Sequence, residues 1–243
     1  MNFEALAAGF WRDGYLVLDN VFDHALMDEY QRLIIEHFGE TPEFLHNQEF
    51  LAKSKTDVIP WFPQQDGLDV FDQIEKSQPL VDLTTAILGG GWSALYCMTM
   101  FSARGTQGQA WHQDCSPDNA SIFNLNRLIY TEDLSPEVGG QTVVVPGSHR
   151  RGELTVGDTD EDFADQLVLT PSKGTLLMLH GHTWHRVLPV IGRYRVSTNY
   201  RCCPRGTPSN VTDICVYRNM RYRFDTNEVV EDRVASGSQL QRT

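Results

Sequence analysis

Apolar residues in the first ~90 positions recur mainly at helical intervals. Phe3 to Trp11 read as a helix, and the unbroken apolar run Tyr15-Leu16-Val17-Leu18 reads as a short strand. Asp23 stands where an N-cap is expected, three residues before Leu26. From there Leu26, Tyr30, Leu33, Ile34 and Phe38 share one helical face until Gly39 ends the segment. Between Phe44 and Gly67 aromatics, Pro60, Pro63 and polar residues alternate without a period, which predicts a long loop or lid. Helical spacing returns from about Val70 to Leu88, with Pro79 as an interruption and Gly89-Gly90-Gly91 as the stop.

The pattern then changes to short runs rich in Val, Thr, Tyr and Leu, separated by Gly, Pro, Asn and Asp. Ser93–Phe101, Arg127–Tyr130, Gln141–Val145, Leu167–Leu169, Thr175–Leu179 and Arg195–Cys202 are the predicted strands. Such spacing specifies a sandwich, barrel or jelly roll with the N-terminal helices packed on one sheet, a mainly β fold with flanking helices. Residues 155–166, carrying Asp158, Asp160, Glu161, Asp162 and Asp165, are expected to be a solvated acidic loop, and the last ~20 residues a loose tail. One domain over 1–243 is expected: a helical part over about 1–91, a β core over about 92–203 and a C-terminal extension over about 204–243.

Charge removes several functions. Twenty Lys and Arg against 32 Asp and Glu give a net charge of −12, which argues against nucleic acid, whose binding depends on a basic face, and against a membrane surface. The five cysteines contain no C-x-x-C pair, so neither a disulfide framework nor a thiolate zinc site is indicated. With no apolar stretch of spanning length and no leader-like start, the expectation is a soluble, cytoplasmic protein.

Candidate chemistry centres on His112-Gln113-Asp114. On an extended strand, residues i and i+2 share a face, so this triplet offers an imidazole and a carboxylate together. The segment Thr175 to His185 adds His180, His182 and His185 as candidates for a third ligand. Two histidines and one carboxylate leave open coordination positions and suit a non-haem Fe(II) that takes O2 and a co-substrate, although a catalytic zinc site uses the same ligand types. Downstream, Arg195 and Ser197 also share a strand face, and a guanidinium beside a hydroxyl is a receptor for a carboxylate. A dicarboxylate held by Arg195 at one end and chelating iron at the other would be 2-oxoglutarate. His149 is expected to hydrogen-bond within the fold, and Trp61, Phe62, Trp111 and Trp184 are either core or pocket lining. Cys115, next to Asp114, has no partner that would make it a nucleophile.

The chain resembles the phytanoyl-CoA dioxygenase family of Fe(II)/2-oxoglutarate oxygenases. The matching stretches are Phe10-Trp-Arg-Asp-Gly14-Tyr-Leu-Val-Leu18, Trp111-His-Gln-Asp114, Glu137-Val-Gly-Gly-Gln-Thr-Val-Val-Val-Pro146-Gly-Ser-His149, Gly174 to His185, and the Arg195 strand, together spanning about residues 8–202. The resemblance implies a double-stranded β-helix, or jelly-roll, core. It assigns the iron to His112, Asp114 and His185 and the distal carboxylate of 2-oxoglutarate to Arg195, with Arg193 as the rival one strand position pair away. Thr99 and Tyr130 fall where the family often has further co-substrate contacts. Val187 stands where relatives often have a serine, a role Ser197 would take over.

The implied reaction is oxidation of a small-molecule C–H bond, hydroxylation above all, with release of succinate and CO2. Asp114 is intact, whereas halogenating relatives replace that carboxylate. A non-catalytic binding protein on the same fold is the alternative, disfavoured by the intact His112, Asp114, His185 and Arg195. Eight of the 16 arginines fall between Arg186 and Arg223. They either pair with the acidic excess or, near Arg201 or Arg205, recognise an anionic group of the substrate.

Overall fold

The computed structural model describes residues 2–39, 42–224 and 228–230. Its helices are α1 (Phe3–Asp13), α2 (His24–Phe38), α3 (Gln48–Ser54), α4 (Val70–Glu75) and α5 (Gln78–Leu88). Its strands are β1 (Tyr15–Leu18), β2 (Ile59–Trp61), β3 (Ser93–Ala103), β4 (Gln109–Gln113), β5 (Leu125–Ile129), β6 (Thr142–Val144), β7 (Leu167–Leu169), β8 (Leu176–His180), β9 (His185–Val187), β10 (Tyr194–Cys203), β11 (Ile214–Tyr217), β12 (Arg221–Arg223) and β13 (Glu228–Val230). They form two sheets with antiparallel pairing, ordered β1-β8-β5-β10-β3-β2 and β13-β12-β11-β4-β9-β6-β7. The expected mainly β architecture with N-terminal helices is the one found.

Strand alternation divides the six-stranded sheet cleanly. Cys97 and Phe101 of β3, Leu125 and Ile129 of β5, Leu176 and Met178 of β8, and Val196 and Tyr200 of β10 point outward. They pack beneath Phe10, Met27, Tyr30, Ile34, Phe71, Leu80 and Leu83 of the helices. This is the largest core, and truncating one of its aromatics, such as Phe101→Ala, costs about 3–5 kcal/mol. Arg127 is buried on this same face, where its Nε donates to Tyr200 O (2.7 Å) and an Nη lies 3.4 Å from Glu75. The other face, with Met100, Leu128, Leu177 and Leu179, looks toward the second sheet.

Helix ends follow local chemistry. Asp23 caps α2 by accepting from Ala25 N (2.8 Å) and Leu26 N (3.4 Å), as its position predicts. Pro79 interrupts nothing: the chain breaks at Lys76-Ser77, and the proline sits in the first turn of α5, where its missing N–H costs no bond. The expected loop over Phe44–Gly67 contains α3, capped by Asn47 on Phe50 N (2.9 Å), and the edge strand β2. Both are too short to print a period on the sequence.

The sheets also reach beyond the expected core of 92–203. β1 and β2 join the first sheet, and β11 and β12, from the C-terminal extension, extend the second beside β4. The acidic segment 155–166 lies over the outer face of the second sheet rather than standing free in solvent. Leu154 and Phe163 pack on Trp111 and Trp184. Asp160 pairs with Lys55, Asp162 with Arg186 and Asp165 with Arg151. The expected tail lies mostly at 225–227 and 231–243, outside the described residues.

Candidate active site

Facing strands of the second sheet bring the ligand candidates together. His112 on β4 is directly opposite His185 on β9 and Tyr217 on β11, so all three side chains share the inner face. Asp114 follows at i+2, its backbone N–H bonded to Gly181 O (2.8 Å). Ligand atoms of His112, Asp114 and His185 all lie within 4.8 Å of one another, and among the described residues no other group of three His, Cys, Asp or Glu does this.

The two imidazoles are held in the same way. His112 Nδ1 is 2.8 Å from Ala110 O and His185 Nδ1 is 2.8 Å from Thr183 O. Donating Nδ1–H to a carbonyl leaves Nε2 with its lone pair turned to the carboxylate, 3.8 Å from Asp114 Oδ1 for His112 and 3.5 Å from Oδ2 for His185. Burial, reinforced by His185, brings the His112 pKa down to about 3, so the ring is neutral at physiological pH. Burial acts on Asp114 in the opposite sense, but Arg201, the two histidines and Asn126 outweigh it and hold its pKa at about 2.

Asp114 has two fixed partners that the sequence did not reveal. Asn126 Nδ2 donates to Oδ2 (2.6 Å) and Arg201 Nη2 to Oδ1 (2.9 Å). Asn126 is itself set by Asn199, whose Nδ2 donates to Asn126 Oδ1 (2.8 Å). The other Nη of Arg201 donates to Tyr96 OH (2.8 Å). Asparagines at i, i+2 spacing on neighbouring strands (Asn124 and Asn126, with Asn199 across) were the available signal, because buried amides must find partners.

Two cavities meet at His112 and Asp114. The narrower runs from His112, Asp114 and His185 past Asn126, Leu128, Thr142 and Val187 to Arg195. Arg195 is 2% exposed, and burial pulls its guanidinium below the usual value, with Tyr130 alongside acting in the other direction. Tyr130 OH lies 3.2 Å from Thr142 Oγ1. Arg195 Nε and Ser197 Oγ are buried without a hydrogen-bond partner. Arg193, the rival, is turned out to an ion pair with Glu132.

Gly140 explains the paired glycines of the Glu137 to His149 stretch. It holds φ +70°, and a Cβ there would stand 2.6 Å from Arg195 Cδ, so only glycine lets the guanidinium stem pass. The wider cavity, of about 590 Å3, opens on the other side of the triad and is walled by the 44–62 segment, β3 and the β11–β12 hairpin.

Thr99 is not brought to the site. Paired with Trp61 and Thr198, and 3.2 Å from Thr198 Oγ1, it belongs to the helix-covered face, while its neighbours Met98 and Met100 line the wider cavity. Sequence distance from His112 carries no parity across a turn into another sheet. His180 also points outward, its ring stacked on Phe123 at 4.0 Å, and His182 lies in the turn that follows. His149 is 3.2 Å from Trp11 O, consistent with a role within the fold. Trp61, Trp111 and Trp184 are core, whereas Phe62 lines the wider cavity. Cys115 is buried and pushed up to about 12, which leaves it a thiol. Of the clustered arginines, Arg201 is committed to Asp114 and Tyr96, and Arg205 is exposed beside Gly91, outside both cavity walls.

The phytanoyl-CoA dioxygenase family model matches residues 10–190. Among solved structures, the chain is similar to the epimerase SnoN of nogalamycin biosynthesis in complex with Fe3+, alpha-ketoglutarate and nogalamycin RO, at 17% identity over 99% of this chain and 93% of that one, with a TM-score of 0.67. It is also similar to HygX from Streptomyces hygroscopicus with nickel and 2-oxoglutarate bound, at 13% identity over 83% and 87% of the two chains, with a TM-score of 0.67. At these identities the likeness is one of fold. No curated protein sequence matches. The family match spans most of the chain and contains His112, Asp114 and His185, and the chain belongs to the phytanoyl-CoA dioxygenase family.

Proposed function

We propose that the protein is an Fe(II)/2-oxoglutarate-dependent oxygenase that hydroxylates a C–H bond of a small molecule. One observation carries this reading: the converged donor atoms of His112, Asp114 and His185 share a cavity with the buried guanidinium of Arg195. The donor set fits a divalent iron, since two neutral imidazoles and one ionised carboxylate are borderline and hard ligands with no thiolate among them. The buried Arg195 Nε and Ser197 Oγ, which lack protein partners, fit the far carboxylate of a dicarboxylate.

In this reading His112 and His185 bind the metal through Nε2, and their Nδ1 bonds to backbone carbonyls keep each ring from rotating away. Asn126 and Arg201 fix the plane of Asp114. Arg195, Ser197 and Tyr130 orient the co-substrate, and Leu128, Leu179 and Val187 keep water from its path. Iron(II), 2-oxoglutarate and O2 together supply an oxidant able to attack an unactivated C–H bond, with succinate and CO2 as co-products. SnoN, described as an epimerase, is similar in fold. Hydroxylation is the outcome proposed here, and Asp114 occupies the position that a halide would need.

Anaerobic titration of the apo-protein with Fe(II) and 2-oxoglutarate tests the reading. A visible iron-to-ketoacid charge-transfer band is expected, weakened in both Arg195→Ala and Asp114→Ala. Folded wild-type protein that develops no band would overturn it.

A further inference from the structure

Resting on the triad as the metal centre, we propose that the wider cavity takes an uncharged, ring-bearing, largely apolar substrate that offers a carbonyl, hydroxyl or ether oxygen to Arg201. The wall is aromatic on three sides, with Phe44 and Phe50 from the 44–62 segment, Phe62 after β2, and Tyr217, Tyr222 and Phe224 on the β11–β12 side. Met98 and Met100 line the same cavity, together with His112 and Asp114. Ring faces and thioethers favour flat apolar surfaces, and about 590 Å3 is within the range of cavities that enclose drug-sized molecules.

Charge decides against an anion. Among the described residues Arg201 is the one Lys or Arg on that wall, it is 8% exposed, and both of its Nη atoms already serve Asp114 and Tyr96. The carboxylates and imidazoles of that wall are Asp114, Asp213, His112, and His46, which lies 2.9 Å from Asp57. Neighbouring cations are engaged elsewhere: Lys55 with Asp160, Arg186 with Asp162, Arg218 with Glu161, and Arg221 with Asp118 and Glu153. A carboxylate or phosphate entering this cavity would lose its water without gaining an unspent cation. Five of the eight arginines between Arg186 and Arg223 thus pair with the protein's own acids, and neither a free acid nor a coenzyme A thioester is accommodated on their account.

One donor is left over. Arg201 Nε is buried without a hydrogen-bond partner, at the junction of the two cavities and one residue's reach from the metal ligand that it holds. A neutral acceptor oxygen satisfies that N–H without adding charge, and would orient the ring plane against Met98 and Met100.

A matched pair of probes that differ only in charge tests this. Full-length protein is loaded anaerobically with Mn(II) and saturating 2-oxoglutarate, so that Arg195 is engaged. Naphthalene-2-carboxamide and naphthalene-2-carboxylate are then titrated by calorimetry, with relaxation of the probe's ring protons by Mn(II) reporting closeness to the triad. The carboxamide is expected to bind at least about tenfold more tightly than the carboxylate. It should relax near the metal and weaken about threefold or more in both Phe62→Ala and Tyr222→Ala while Mn(II) affinity holds. Equal or tighter binding of the carboxylate overturns the proposal, as does a cavity that takes neither probe. Failure to retain Mn(II), seen as free-ion resonance signal, instead strikes at the metal-centre reading, and the calorimetric ratio of the two probes still decides the substrate class.

Discussion

Two groups of histidines lie on either side of the sheet framework, and they meet opposite fates. His112 and His185 face the interior across a strand pair, each with Nδ1 tied to a carbonyl and Nε2 turned to Asp114. His149, His180 and His182 cluster near the C-terminal end of α1, with the His180 ring centroid 5.1 Å from that of His149 and 5.0 Å from that of His182, and His180 closed over by Phe10, Trp11 and Phe123. Five positions separate His180 from His185, yet one is packed as an aromatic and the other faces a carboxylate as a candidate ligand. An imidazole becomes a metal ligand when its second nitrogen has a fixed carbonyl and an anion stands opposite. Without the anion, the same ring is core.

The sharpest way to break this contrast is to delete one ring from each group. His185→Ala is expected to lower affinity for Mn(II) or Fe(II) by more than about 100-fold, while His180→Ala retains it within about twofold and loses roughly 0.5–3 kcal/mol of stability instead. Loss of metal in His180→Ala would erase the distinction. Next in size is Asn126→Ala, which leaves the three ligands in place but frees one carboxylate oxygen. A roughly 10–100-fold weaker metal site is expected from titration of the apo-protein.

Gly140→Ala should act on the co-substrate alone. By pushing on Arg195 Cδ it raises the dissociation constant for 2-oxoglutarate by about tenfold, or ~1.4 kcal/mol, with metal affinity unchanged. The last effect is an acid one, spread over about two pH units. Burial, helped by His182 and His149, holds His180 well below its ordinary 6.5, so below that pH the unfolded chain takes up a proton that the folded chain refuses. The stability tied to His180 is complete above about pH 6.5 and drains as pH falls. His180→Phe is expected to flatten the dependence of unfolding free energy on pH by up to about 1.4 kcal/mol per unit between pH 6 and 4, measured by denaturant titration.

The sequence exposed features that rest on spacing within one element. The His112–Asp114 pair, the cap at Asp23 and the apolar strands all depend on positions two to four residues apart. Arg195 and Arg193 could not be separated that way, because two residues apart on a strand they share parity. What distinguishes them is that Arg193 precedes β10 and finds Glu132, while Arg195 lies opposite Ser102 inside the sheet. Thr99, which the resemblance associates with the co-substrate, lies on the helix-covered face opposite Thr198, a pairing between residues a hundred positions apart. The same blindness hid α3, two turns that bury only Phe50 and Ser54, and the strands after residue 203, whose alternation is masked by arginines that pair across the surface. Arg201 stood out as a cation, but its partner Asp114 lies 87 positions away.

The β11–β12 hairpin separates what the enzyme would do from what it would do it to. The family match ends at residue 190, whereas Tyr217, Tyr222 and Phe224 come after it and lie outside the strands that carry the candidate ligands His112 and His185. A stretch of chain joined to β4 through the short pairing of Val216 and Tyr217 with Gln113 and His112 can be exchanged as a cassette: its rings reshape the chamber while His112, on the neighbouring strand, keeps its register. Transplanting 212–224 between relatives of this fold would then move the preference for a guest molecule and leave the redox machinery as it was, which makes this hairpin the place where new specificities are most cheaply written.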